Sequence, residues 1–244
     1  MKNALLTLAA VAALSGPALS QVVDPFKDTL VLYDFNALSH FNDPNAPAYC
    51  APCVSATNLS LNGLSQSLHF SGGPDGSKFR CFAGWDVAKD YTFIRPDLSP
   101  APQTLSFDVT VHPDSIAGIT GLSLDWKRPS VSSVDTITAS IFWEDASGVV
   151  QHHTSGPVSL TGSSGWNHLS FVSNSSSESF PSGLDTAGET FHVELYAYGG
   201  QGGTLYLDNI VLEGYCAPIP EPSGALLLGA TGLAILIRRR SRHC

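Results

Sequence analysis

Hydrophobic and polar residues alternate along most of the middle of this chain. In TLSFDVTVH, Leu105, Phe107, Val109 and Val111 alternate with Ser106, Asp108, Thr110 and His112. A period of two sets one strand face against a core and the other toward water. GLSLDWK repeats the pattern with Leu122, Leu124 and Trp126, and DTITASIFWED with Ile137, Ala139, Ile141 and Trp143. TFHVELYAY places Phe191, Val193, Leu195 and Ala197 on its dry face. Further strands are expected at 30–35, 67–70, 166–172 and 204–212, separated by SGGPDGS, DASG, TGSSG and GGQGG. These are turn formers, and no window between the termini has helical periodicity. Many short strands with glycine-rich turns predict an all-β fold, a single β-sandwich or jelly roll.

The last two strands carry the most chemistry. If GGQGG closes symmetrically as a hairpin, Tyr198 faces Thr204, Tyr196 faces Tyr206, and Glu194 faces Asp208. His192, Glu194, Tyr196, Tyr198, Tyr206 and Asp208 then share one face. The apolar phase slips by one between Leu205-Leu207 and Ile210-Leu212, which predicts a bulge near Asp208-Asn209. Directly opposed carboxylates repel, and calcium, which takes several oxygen ligands, would reverse that repulsion. Asp208, with Glu194 or Asp34, is therefore the metal candidate; the alternative is that the bulge turns Asp208 to cap backbone amides. Tyr196, Tyr198 and Tyr206 are candidates for a platform on which sugar rings stack, or else second-layer tyrosines whose hydroxyls bond at the core edge.

The two ends differ from the middle. MKNALLTLAAVAALSGPALSQ has one lysine, an apolar run from Ala4 to Leu14, a Gly16-Pro17 breaker and small residues at Ala18 and Ser20. That is the layout of a secretory signal peptide, residues 1–20, read by the Sec machinery and removed by signal peptidase before Gln21. At the other end, residues 223–237 carry no charge, and Arg238, Arg239, Arg240 and Arg242 follow. Fifteen residues reach roughly 22 Å as a helix, short of a roughly 30 Å hydrocarbon core. Basic residues stay on the cytoplasmic side, so the body of the protein lies outside.

Pro220-Glu221-Pro222, a short apolar helix and a terminal arginine cluster, in that order, resemble the PEP-CTERM sorting signal of Gram-negative bacteria. The resemblance covers residues 218–244. It implies recognition by a membrane protease, exosortase, cleavage near Pro220-Glu221-Pro222, a transient membrane stay through 223–237, and delivery to the cell surface or exopolysaccharide matrix. LYLDNIVLEG and LYDFN also resemble the closing and opening strands of jelly-roll ectodomains found on PEP-CTERM proteins and of galactose-binding-like modules. That second resemblance implies a structural calcium at Asp208.

Processing alters the charge and cysteine arithmetic. The chain has 12 basic and 21 acidic residues, of which 7 and 20 fall in the ectodomain, residues 21–217, giving it a net charge of −13. Such a body repels nucleic acid and anionic surfaces. Cys244 leaves with the tail, and Cys50, Cys53, Cys81 and Cys216 remain for an oxidising compartment. Cys50-Ala51-Pro52-Cys53 sits in a proline-broken loop, unlike a redox motif opening a helix, and a second close pair for zinc is missing. Structural disulfides are expected, with Cys50 or Cys53 joined to Cys81.

Nothing in the pattern supports catalysis. TGSSG lacks the spacing and the following helix of a nucleophile elbow. His152 and His153 are adjacent and point to opposite strand faces. Asp34, Asp86, Glu144, Asp145, Glu194 and Asp208 are numerous, but the sequence sets no two at the separation glycoside hydrolysis requires. A strand, not a helix, follows GGQGG, so it is no phosphate loop. The expectation is a non-enzymatic matrix component, with a carbohydrate-binding module as the alternative and a glycan-active hydrolase resting on acidic residues alone.

Overall fold

The structure is a computed structural model that describes residues 29–36, 45–85, 103–144, 147–161, 165–172 and 188–219. The expected signal peptide, the Pro220-Glu221-Pro222 motif, the 223–237 segment and the arginine cluster all lie outside the described residues. Within them the chain is all-β, fourteen strands in two sheets.

The first sheet, A, contains β1 (Thr29–Tyr33), β2 (Tyr49–Cys50), β5 (Ser65–His69), β6 (Phe79–Ala83), β8 (Ser115–Lys127), β12 (Asn167–Val172) and β14 (Thr204–Pro218). Its order is β12-β8-β14-β1-β2, with β6 also on β14 and β5 on β6. Sheet B contains β3 (Val54–Ala56), β4 (Ser60–Asn62), β7 (Thr104–Val111), β9 (Thr136–Glu144), β10 (Val150–Thr154), β11 (Val158–Ser159) and β13 (Thr190–Tyr198). Its order is β10-β9-β13-β7-β3, with β11 on β9 and β4 on β7. The alternation read from the sequence fixes the inner faces. Leu122, Leu124, Leu205, Leu207 and Leu212 of sheet A meet Leu105, Phe107, Ile137, Ile141, Val193 and Leu195 of sheet B in one core. Tyr33 spans the two layers, its ring 4.8 Å from that of Phe107 and its hydroxyl donating to the Thr57 carbonyl at 2.5 Å.

The predicted bulge forms. Asp208 pairs with Asp125 and Val211 with Ser123, so two residues of β14 answer one of β8. Asn209 takes φ 47°, a left-handed conformation that asparagine tolerates. The extra residue restores the phase, and Ile210 and Leu212 point inward again after Leu205 and Leu207.

The hairpin does not form. β13 pairs with β7 and β9 in sheet B, whereas β14 pairs with β8, β6 and β1 in sheet A. GGQGG is a crossover from one layer to the other. Its glycines serve close approach: a Cβ on Gly200 would strike the Ser133 carbonyl, and one on Gly203 the backbone of Trp85. The cysteine pairing also differs from expectation. Cys53, just before β3, is bonded to Cys216 on β14 with Cα atoms 5.9 Å apart, while Cys50 and Cys81 are free thiols. The bond therefore ties sheet B to the far end of sheet A's central strand.

Candidate functional site

Tyr206 and Asp208 alternate with Leu205 and Leu207, so they face outward from sheet A, as do Asp125 and Lys127 between the inward residues of β8. On β6, Phe82 enters the core, and Phe79 and Cys81 face out. The result on this outer face is an aromatic shelf centred on Phe79. His69, its cross-strand partner, stacks on it at 4.7 Å with the planes 4° apart. Tyr206 lies 5.0 Å away and Trp166 packs edge-on at 5.2 Å. The Trp166 indole donates to the Gly72 carbonyl at 2.6 Å. Phe79 is buried; His69, Tyr206 and Trp166 are half-buried, with ring surface left to solvent. Beside them Phe70 is 68% exposed, with the Lys78 ammonium 6.0 Å from its ring.

Next to the shelf lies a carboxylate pair. Asp208 and Asp125 are direct cross-strand partners, an arrangement that like charges disfavour. Each is supplied with donors. Asp208 is fully buried and accepts from the Asn209 amide at 2.9 Å and the Ser77 hydroxyl at 3.1 Å. Asp125 accepts from the Asn209 side-chain amide at 2.8 Å and pairs with His168 Nδ1 at 2.9 Å. Burial, together with the nearby Asp34 and Asp125 charges, outweighs those bonds and pushes the Asp208 carboxyl up to about 7. Asp34 turns the chain by accepting from the Asn36 amide at 2.7 Å.

The residues expected on one face are thus divided between two. Glu194, His192, Tyr196 and Tyr198 lie on the outer face of sheet B, across the core from Asp208 and Tyr206. Glu194 sits opposite Ser106 and Ser140, not Asp208. Of the three expected calcium ligands, Asp34 and Asp208 lie close enough to interact and Glu194 does not join them. Among the described residues no three His, Cys, Asp or Glu side chains are arranged to hold a metal ion.

On sheet B, His192 bridges two carboxylates, Asp108 at 2.6 Å through Nδ1 and Glu194 at 3.1 Å through Nε2. Burial disfavours its charge, but the bonds to Asp108 and Glu194 more than reverse this and push the imidazole up to about 9. Tyr196 and Tyr198 stack at 5.3 Å, yet Tyr196 is only 3% exposed. Tyr196 is packed, whereas Tyr198 is half-buried. Tyr206 alone of the three belongs to the half-buried shelf on sheet A.

Sequence reasoning missed His69, Phe79, Trp166, Phe70, Asp125 and His168. One signal was available: Phe79 and Tyr206 are aromatic residues on the polar phase of their strands, where a core requires none.

No protein-family model matches the chain, and no curated protein matches its sequence. Solved structures do resemble it in shape. One is the N-terminal CBM22-1-CBM22-2 tandem domain of Paenibacillus barcinonensis Xyn10C, at 12% identity and TM-score 0.43, covering 82% of this chain and 49% of the tandem. The chain thus spans about half of that tandem's length. The CBM22-1 xylan-binding domain of the same protein gives 12% identity and TM-score 0.40, covering 79% of this chain and 97% of that one. The family 11 carbohydrate-binding module from Clostridium thermocellum, solved with a β-1,3-1,4-mixed-linked tetrasaccharide, gives 16% identity and TM-score 0.30, covering 69% and 92%.

Proposed function

We propose that this protein is an exported, non-enzymatic carbohydrate-binding domain, and that glycan lies on the outer face of sheet A. One observation carries the reading: half-exposed Tyr206, Trp166 and His69 form a shelf beside hydrogen-bonding side chains on the same face. A sugar ring offers C–H groups to an aromatic face and hydroxyls at its rim. Asp125, His168, Asn209 and Lys127 flank the shelf with the donors and acceptors such a rim requires, and a mostly apolar surface with a few placed polar groups is the usual composition of a ligand site. A net charge of −13 on the ectodomain favours neutral glycan over anionic polymer.

Xylan and mixed-linked β-glucan are the first probes, by titration calorimetry. Tyr206→Ala and Trp166→Ala are each expected to weaken binding at least tenfold, about 1.4 kcal/mol, whereas Tyr198→Ala on the opposite layer leaves it unchanged. Failure of neutral polysaccharides to bind, or full affinity in both shelf variants, refutes the assignment.

The C-terminal segment fits with this as an address. In our reading exosortase recognises Pro220-Glu221-Pro222, the 223–237 segment holds the chain in the membrane until cleavage, and the domain joins an exopolysaccharide matrix at the cell surface. Intact mass of the mature protein is expected to end near residue 220. A mature form still carrying Ile237 and Arg238 overturns the sorting step while leaving glycan binding untouched.

A further inference from the structure

Among the described residues, lysine and arginine occur at four positions, Lys78, Arg80, Lys127 and Arg128. Both arginines are committed inside the fold. Arg80 is buried, with its guanidinium 5.2 Å from the Phe35 ring. Arg128, also buried, donates to the carbonyls of Leu160 at 3.1 Å, Val131 at 2.5 Å and Ser133 at 2.9 Å. The two lysines remain, and both stand at the aromatic shelf of sheet A. Lys78 donates to the Asn36 carbonyl at 3.3 Å and lies 6.0 Å from the Phe70 ring. Lys127 is half-buried on β8, in direct cross-strand register with Tyr206. Asn167 pairs with Trp126, so the same register carried one residue further sets Trp166 beside Lys127 on its other flank. Cross-strand neighbours of this kind have Cβ atoms about 5 Å apart. The Lys127 side chain therefore rises between two residues of the shelf.

We propose that Lys127 makes this face selective for a glycan that carries carboxylates, a mainly neutral backbone with uronic acid residues along it. The inference rests on the glycan-binding reading and narrows its substrate class. A sugar ring lying on Tyr206 or Trp166 projects its equatorial substituents past the ring edge, where the ammonium stands. A hydroxyl placed there accepts an ordinary hydrogen bond from it, whereas a carboxylate forms one with charge on both partners, which is shorter and stronger. Lys127 is available for that contact. Ion pairs between described residues involve only His168 and His192, and Lys127 belongs to none of them. Asp125, its neighbour two residues back on the same face of β8, has one oxygen on His168 Nδ1 and the other on the Asn209 side-chain amide. A pair formed at a half-buried position is screened less than one in open solvent. The overall negative charge of the ectodomain repels a polyanion as a whole. That field decays over about 10 Å in salt, and a sparsely substituted chain brings one carboxylate at a time to one ammonium.

Titration calorimetry with a xylan bearing glucuronic acid side groups, and with the same polymer after its carboxyls have been reduced to alcohols, tests this. Wild type is expected to bind the acidic form at least about fivefold more tightly at low salt. That preference is expected to vanish in about 1 M salt, where the Debye length is about 3 Å. Lys127→Gln is expected to bind the two forms alike at low salt, and Lys127→Arg, which restores the charge, to recover most of the preference. Tyr206→Ala is expected to lose affinity for both forms. Equal binding of the two polymers by wild type at low salt overturns the selectivity while leaving the glycan face in place. A preference that survives in Lys127→Gln, or one indifferent to salt, overturns it as well. If neither polymer binds wild type, the glycan-binding face is refuted and the selectivity falls with it.

Discussion

A protein carrying Cys53→Ala with Cys216→Ser is expected to unfold about 3–5 kcal/mol more easily than wild type. The bond closes a chain separation of 163 residues. Most of its effect falls on the unfolded chain, which loses the freedom to keep those positions apart, and that restriction grows slowly with loop length. Against a total stability of about 5–15 kcal/mol for a domain, the loss is severe. Urea midpoints of the two proteins measure it. Cys50→Ser and Cys81→Ser, at free thiols, serve as comparison and are expected to cost under about 1 kcal/mol. An unchanged midpoint in the double variant would show that the layers are held without the cross-link.

Asp208→Asn is expected to stabilise the protein at pH 8 and to do almost nothing at pH 4. The folded carboxyl is raised from 3.8 to about 7, so it favours the protonated form in the native state. Between those values the folded chain holds a proton that the unfolded chain has released. Stability therefore falls as pH climbs through that window and levels off above it. Three pH units correspond to about 4 kcal/mol at most, and about 2–4 kcal/mol is expected once relaxation of the 70–78 loop, whose Ser77 bonds Asp208, is allowed for. Asparagine preserves the hydrogen bonding, accepting from the Asn209 amide and donating to Ser77. Unfolding free energies at pH 4 and pH 8 give the answer, and an equal effect at both values would rule out a titrating Asp208 as its cause.

The sandwich was legible because alternation reports directly which side chains meet the core. Leu105 to Val111 and Phe191 to Ala197 face inward as their spacing requires, and the slip between Leu207 and Ile210 marked the bulge at Asn209. What alternation does not report is the neighbour. A five-residue glycine loop suits a hairpin and a layer crossover equally well, so β13 and β14 read as partners when each lies in a different sheet. Every residue contact built on that pairing shifted with it, above all Glu194 against Asp208. The candidate site suffered more than the fold for this reason, since it joins His69, Phe79, Trp166 and Tyr206 from positions nearly 140 residues apart in sequence. The cysteine pairing was missed similarly: Cys53 and Cys216 meet only once two layers have closed. Short strands such as Tyr49–Cys50 and Val158–Ser159 carry too few residues to show any period.

Sheet A is arranged around β14, which contacts β8, β6 and β1. Among the described strands that central strand is also the last one made, and its partner β1 is the first. During synthesis the ribosome therefore releases a row of strands with no spine to gather on, and contacts of such long sequence separation form slowly. A nascent chain whose sheet A cannot close until β14 emerges stays unlocked through most of the synthesis of the sandwich.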